Sequence, residues 1–180
     1  SMGTRKLLYQ LGGIDNEIFP KYNSEVQLTQ QADYAFQMMV YNLRGFSQNS
    51  RNGNNVLVYN TELRVPIFSL LSARPIKNSL TRDFMFLVFT DVGMAWSGVN
   101  PYSRENPNYV KVIRNDISEI RGYYLRNPMV ASFGLGARIP LFTSSPFMGY
   151  YLKIDMGWRF DSGKLSSTPG FNFSLTGIDF

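Results

Sequence analysis

The sequence of 180 residues contains neither cysteine nor histidine. Without cysteine the chain can form no disulfide and offers no thiolate to a metal, and without histidine it lacks the commonest general base and metal ligand. No Ser–His or Cys–His arrangement for nucleophilic catalysis can form. No apolar run approaches the roughly 18 residues that predict a transmembrane helix. We therefore expect no enzymatic activity, no cofactor, no metal site and no membrane-spanning helix.

The basic residues are scattered rather than clustered. There are 18 Lys and Arg against 13 Asp and Glu, a net charge of +5, so we expect no nucleic-acid partner.

Aromatic residues are frequent, with 14 Phe and 11 Tyr. The 15 Gly and 9 Pro occur at short intervals, as expected for many strands joined by turns.

Several segments alternate between apolar and polar or small residues with the two-residue period of a β-strand. They are residues 56–65, 84–96, 131–139 and 150–160, and we expect further strands at 5–11 and 171–180. The four alternating segments are longer than the typical five or six residues and match the roughly nine to eleven that a tilted strand needs to cross a bilayer. Residues 103–126, polar and charged, are expected to form an extracellular loop. In the last strand, Phe171 and Ile178 fall on opposite faces, which predicts a β-bulge near Gly177.

Periodicity alone leaves open which face of these strands points inward. A soluble, lipocalin-like barrel buries its apolar face, whereas a membrane barrel exposes that face to lipid. Here the polar face contains glycines interspersed with residues of both charges. The glycines are Gly93, Gly134, Gly136 and Gly157, and the charged residues are Glu62, Arg64, Asp91, Arg138, Asp155 and Arg159. Glycine inside a strand often marks the close approach of another chain segment. This composition favours a crowded polar lumen, and therefore a membrane barrel.

Five short motifs follow one another along the chain. They are Leu43-Arg44-Gly45-Phe46, Glu62-Leu63-Arg64-Val65-Pro66, Phe89-Thr90-Asp91-Val92-Gly93, Gly134-Leu135-Gly136-Ala137-Arg138 and the terminal Phe180. Together, in this order, they resemble those of the Omp85 superfamily (the bacterial surface antigen family), outer-membrane barrels that insert or translocate proteins. The resemblance extends over about residues 5 to 180. One departure is Leu175, where the family's terminal sorting signal favours Gly.

The resemblance implies an all-β fold: part of an antiparallel transmembrane β-barrel, with about six strands and a long inward-folding loop. The resemblance implies that Arg44 of this chain reaches into the lumen and pairs with Asp91, with Glu62 nearby. The remaining implied site residues complete the loop motif (Leu43, Gly45, Phe46), accompany Asp91 in the lumen (Phe89, Gly93) and form the C-terminal sorting signal (Ile178, Phe180). A bidentate arginine–carboxylate pair would fix the orientation of such a loop.

Residues 1–3 resemble a cloning remnant, and we expect residues 4–180 to be the C-terminal part of the barrel. Six strands are too few to close around a pore. The expected partners are therefore outer-membrane lipid, client proteins, and either N-terminal barrel strands that this chain lacks or further copies of it.

The resemblance implies insertion or translocation of proteins at the outer membrane of a Gram-negative bacterium. As an alternative, the barrel anchors an N-terminal periplasmic binding or enzymatic domain. A soluble enzyme that uses Glu62, Asp91 and Asp155 as acid–base groups is a third hypothesis. Salt bridges in a lumen explain these carboxylates more simply.

Overall fold

The computed structural model describes residues 8–14, 16–24, 26, 38–103, 106, 109–115, 118–124, 127–142 and 150–177. Strands dominate it, and two short helices lie between the fourth and fifth strands. In chain order the elements are β1 (Leu8–Leu11), β2 (Met38–Tyr41), β3 (Arg51–Gly53), β4 (Asn55–Val65), α1 (Ile67–Leu71), α2 (Ser79–Arg82), β5 (Met85–Trp96), β6 (Tyr109–Asn115), β7 (Ser118–Tyr124), β8 (Met129–Phe142), β9 (Tyr150–Asp161), β10 (Lys164–Leu165) and β11 (Gly170–Thr176).

The main sheet is antiparallel and has six strands. β4, β5, β8 and β9 lie side by side, and both β10 and β11 pair with the far edge of β9. One row across the sheet contains Thr61, Thr90, Phe133 and Trp158. Within the described residues no pairing joins β4 to β11, so these strands form an open sheet and not a closed barrel. The prediction of a β-rich fold with an antiparallel sheet of about six strands is thus confirmed.

The four alternating segments are all strands, and their ends differ from the prediction by at most three residues. Of the strand predicted at 5–11, residues 8–11 form β1, and residues 5–7 lie outside the described residues. β1 does not join the main sheet as expected: it pairs in parallel with β2 and antiparallel with β3 in a separate small sheet. The chain turns directly after β1, where Gly12 and Gly13 adopt φ values of +122° and +72°. β11 pairs regularly to Thr176, and Ile178, Phe180 and most of the predicted bulge lie outside the described residues.

Two connections contain structure that the sequence did not predict. The expected loop at 103–126 contains a hairpin, in which β6 pairs with β7 from Tyr109 opposite Tyr124 to Asn115 opposite Ser118. Residues 66–84 contain α1 and α2, so the fold is mostly β rather than all-β. None of the described helices is long and apolar enough to cross a membrane.

The two faces of the main sheet have opposite environments. Along β5, Leu87, Phe89 and Asp91 are buried, whereas Val88 between them is 45% exposed. The face with polar and small residues is covered by the small sheet and residues 42–50, and the core between them consists of Leu11, Leu43, Phe46, Ala95 and Val130. The apolar face is exposed, with Leu57, Tyr59, Leu63, Val88, Phe133, Leu135, Phe160, Phe171 and Leu175.

Gly134 in β8 allows the main sheet to pack closely around Phe89. A Cβ atom there would lie 2.0 Å from the Met156 carbonyl oxygen and 2.7 Å from the tip of the Phe89 ring. We expect Gly134→Ala to lower the free energy of unfolding by about 1–3 kcal/mol, because a backbone oxygen cannot move aside cheaply. Urea unfolding followed by the fluorescence of Trp96 and Trp158 measures this. Gly177→Ala, where no atom of the described residues lies within 4 Å, is the control; equal losses in both variants would contradict the expectation.

Candidate functional site

Residues 42–50, here called the loop segment, lie on the covered face of the main sheet. Backbone hydrogen bonds attach the segment to the turn after β1: Leu43 donates to the Gly13 carbonyl (2.9 Å), and Gly13 donates to the Phe46 carbonyl (3.0 Å). Leu43 and Phe46 are buried in the core below. These contacts direct Arg44 toward the sheet.

Arg44 binds Asp91 through three hydrogen bonds. Its backbone N–H and its Nε donate to Oδ2 at 3.1 and 2.8 Å, and Nη2 donates to Oδ1 at 2.7 Å. The Asp91 side chain is completely buried and Arg44 is 7% exposed. Charge-assisted bidentate pairs of this kind are among the strongest hydrogen bonds in proteins. The contact that the family resemblance implied is present.

Glu62 and two further arginines extend this pair into a network across four strands. Glu62 accepts from Nη1 of Arg44 and from Nε of Arg64, and its Oε2 lies 3.7 Å from Nη2 of Arg138. Nη1 of Arg138 donates to Oδ1 of Asp155 at 2.7 Å. Three arginines thus face three carboxylates, since Asp91 completes the set. The charges of the network balance.

The electrostatics of the loop arginine follow from these contacts. Burial by itself would lower the pKa of Arg44, but the hydrogen bonds and charge of Asp91, with those of Glu62, outweigh burial and raise that pKa above its ordinary value. The guanidinium also lies over the Phe89 ring, with Cζ 3.9 Å from the ring centroid. Such a cation–π contact adds attraction at a desolvated site. Arg44 therefore stays charged and fixed in place.

Gly45 brings the loop backbone into direct contact with the sheet. Its φ of +81° favours glycine, and a Cβ atom there would lie 3.0 Å from the Gly157 carbonyl oxygen. Its N–H donates to Oδ1 of Asn172 in β11 at 2.7 Å, and Nδ2 of Asn172 donates to Glu17 at 2.7 Å. The loop segment is therefore bonded to the last described strand as well as to β5.

The structure brings together most of the residues that the sequence singled out. Leu43, Arg44, Gly45, Phe46, Glu62, Phe89 and Asp91 lie in one continuous set of contacts. Gly93 lies near them but faces Leu11, whose Cδ2 would be 2.7 Å from an added Cβ. Ile178 and Phe180 lie outside the described residues.

Sequence reasoning missed two residues of the site, Asn172 and Arg51. Arg51 is completely buried, and it donates from Nη2 to Asp161 (2.6 Å), from Nε to the Asn127 carbonyl (3.0 Å) and from Nη1 to the Ser50 carbonyl (2.7 Å). The two-residue period of a strand places Asn172 on the face opposite to Phe171 and Phe173. That pattern could have assigned Asn172 to the polar face that contains the site. Arg51 lies in no motif and no alternating segment, so no sequence signal marked it.

The arrangement holds the loop segment on the sheet through ion pairs. Each carboxylate of the network already accepts from an arginine. Among the described residues no group of three or more Asp and Glu could hold a metal ion. A polar cavity of about 430 Å³ lies beside the network, lined by Arg44, Glu62, Arg64, Arg138, Lys153 and Asp155 among others.

No protein-family model, curated protein or solved structure matches the chain.

A double-mutant cycle measures the contribution of the Arg44–Asp91 pair. Removing one partner of a buried pair costs about 3–5 kcal/mol, because the other charge is left uncompensated. We expect Arg44→Met and Asp91→Asn each to destabilise strongly, and the double variant to lose clearly less than the sum. The coupling energy from urea unfolding should exceed about 1 kcal/mol.

The exposed pair Arg82–Asp83, 2.9 Å between Nε and Oδ1, is the matched control. Its coupling energy should stay below about 1 kcal/mol, as for other surface pairs. Additive, near-neutral effects at Arg44 and Asp91 would show that the pair does not hold the loop segment.

Proposed function

We propose that the chain is the C-terminal part of an Omp85-type outer-membrane β-barrel that acts in the insertion or translocation of proteins in a Gram-negative bacterium. One observation carries this proposal. Arg44 of the loop motif binds Asp91 of the strand motif, 47 residues away, on the covered face of the sheet. The family resemblance implies a contact between these two motifs, and the Arg44–Asp91 pair supports the proposal in that way.

The distribution of polarity supports a membrane setting. The sheet buries arginines and carboxylates and exposes Leu57, Val88 and Phe133, the reverse of a soluble barrel. Contiguous exposed apolar surface is costly in water but not against acyl chains. The four long strands, of 11 to 14 residues, are long enough to cross a bilayer. Outer-membrane lipid is therefore the first proposed partner.

The unpaired edge of the main sheet indicates that further strands pair with it, and these strands are the second proposed partner. The outer edge of β4, 11 residues long, pairs with nothing among the described residues. Backbone polar groups inside a membrane must be satisfied by hydrogen bonds, so an unpaired edge is not stable there. N-terminal barrel strands, or further copies of this chain, would supply the pairing and close the barrel.

The proposed work is mechanical and requires no covalent chemistry. β11 pairs with β9 over seven residues and is bonded through Asn172 to the loop segment. A terminal strand that can separate from its neighbour offers an edge to which a client strand can add by backbone hydrogen bonding. In the alternative function the barrel is only an anchor for an N-terminal periplasmic domain, and the loop segment merely fills its lumen.

A charge on the exposed face tests the membrane setting. We expect Val88→Arg to lower stability in lipid vesicles by about 2–4 kcal/mol, the cost of arginine facing mid-bilayer lipid. In water the same change would shift stability by less than about 0.5 kcal/mol. Val99→Arg, at a fully exposed valine in the connection after β5, is the matched control and should be neutral. Equal, small effects at both valines would contradict the membrane setting.

An assembly assay tests the function itself. We expect vesicles that contain the intact protein to accelerate the folding of a urea-denatured outer-membrane β-barrel added from outside, compared with empty vesicles. Asp91→Asn should reduce this acceleration while the protein still inserts into the vesicles, since the loop segment would lose its attachment to β5. If the wild-type protein gave no acceleration, the anchor function would be favoured instead.

A further inference from the structure

The segment between β4 and β5, residues 66–84, exposes large apolar side chains although its backbone is ordered by hydrogen bonds. Leu70 is 74% exposed, Leu71 79% and Leu80 50%, and no residue of α1 is buried. The Leu70 N–H donates to the Pro66 carbonyl at 3.0 Å, and Ser69 Oγ donates to the Arg82 carbonyl at 3.2 Å. The leucines are thus presented by a defined structure.

The same segment is basic. It contains Arg74, Lys77 and Arg82 and one acidic residue, Asp83, so three positive charges and one negative charge give a net +2. All three basic side chains are exposed, and Arg82 is paired with Asp83. Exposed leucines combined with a positive charge are the composition of a segment that lies in a membrane interface.

The apolar side chains of the segment continue the exposed apolar face of the sheet. Phe68 of α1 contacts Phe84 edge to face, with ring centroids 5.4 Å apart. Phe84 has the parity of Val88, which lies on the exposed face of β5. A bilayer that covers that face would therefore meet α1 at the point where β4 and β5 leave the hydrocarbon.

The position of the segment identifies which end of the barrel it occupies. It lies at the end of the sheet where β8 ends and β9 begins, two strand ends separated by a short stretch of sequence, because Val65, Met85 and Arg138 lie in neighbouring register positions there. The long connection 97–128 lies at the opposite end. Outer-membrane barrels have short periplasmic turns and longer extracellular loops, so residues 66–84 lie at the periplasmic end.

We propose that residues 66–84 form an interfacial anchor for anionic phospholipid of the periplasmic leaflet. Leu70, Leu71 and Leu80 insert at the level of the upper acyl chains, and Arg74 and Lys77 contact lipid phosphates. Basic residues near an anionic membrane surface are each attracted to it. This inference rests on the proposed membrane function, and it adds a lipid-binding surface outside the loop and lumen network.

Single-cysteine labelling tests the anchor, since the chain contains no cysteine that would have to be removed. An NBD fluorophore is attached at Leu71→Cys in the intact protein, reconstituted in vesicles of phosphatidylcholine and phosphatidylglycerol. We expect quenching by lipids spin-labelled near the headgroup and protection from iodide in the water. Val99→Cys, at the opposite end, is the control and should be quenched by iodide. Quenching of the Leu71 probe by iodide, or protection from both quenchers because protein covers it, would overturn the anchor.

A third probe separates failure of the anchor from failure of the membrane function. Val88→Cys reports the exposed face of the sheet and should be quenched by lipids spin-labelled deep in the acyl chains. If the Val88 probe is quenched and the Leu71 probe is not, the anchor is wrong and the membrane setting stands. If neither is quenched by lipid, the membrane setting itself is wrong.

The charge contribution is tested with the Leu71 probe in a variant that also carries Arg74→Gln and Lys77→Gln. In vesicles with phosphatidylglycerol, we expect these changes to reduce lipid quenching of the probe, with a red shift of its emission. In pure phosphatidylcholine they should change little. Identical behaviour in both lipids would remove anionic phospholipid as the partner.

Discussion

The Arg44–Asp91 pair is the interaction on which the rest of the structure depends. Asp91 is completely buried in the middle of β5, and a carboxylate in that position is stable only if a positive charge reaches it. The nearest strands supply no arginine directly opposite, because Asp91 lies between Asn60 and Ser132. The loop segment provides the charge, and the hydrogen bonds to it offset the entropy lost in ordering a long connection. Glycines make this approach possible, since Gly45 lies with its backbone against Gly157. Loop and sheet are therefore one structural unit.

This arrangement determines what the outer face of the sheet must be. Strands alternate strictly, so placing charged and small residues toward the loop places the apolar residues on the other side. Asp91 and Arg138 are buried while Val88 and Phe133 are exposed. A soluble sheet with a polar interior and an apolar exterior would leave the larger part of its hydrophobic stabilisation unused. If the chain has the proposed function, lipid covers the apolar exterior, and these side chains are not exposed to water.

The same alternation explains which parts of the structure the sequence could predict. The four long strands and their faces follow from the two-residue period, and the contact of Arg44 with Asp91 followed from two motifs of a resembling family. The pairing of β1 did not follow, because a short strand pattern does not indicate whether the strand joins the main sheet or covers it. In the structure β1 pairs with β2, and Leu11 packs on Gly93. The helices α1 and α2 are too short to show a helical period. Arg51 was missed because its partners Asp161 and Asn127 are distant in sequence and belong to no pattern.

The loop segment is held to β4 and β5 by ion pairs but to β11 by a hydrogen bond without a charged donor. This difference matters for the proposed addition of a client strand beside β11. Arg44 is held by Asp91 on β5 and by Glu62 on β4, and Arg51 of β3, which directly follows the loop segment, is held by Asp161 at the end of β9. The Gly45 N–H bond to Asn172 links the loop segment to β11, and it has no charged donor. If β11 separated from β9 to admit a client strand, the loop segment would lose the Gly45–Asn172 bond and keep the ion pairs of Arg44 with Asp91 and Glu62. A moving terminal strand is therefore compatible with a stationary loop, and the lumen would remain filled while the edge of the sheet is open.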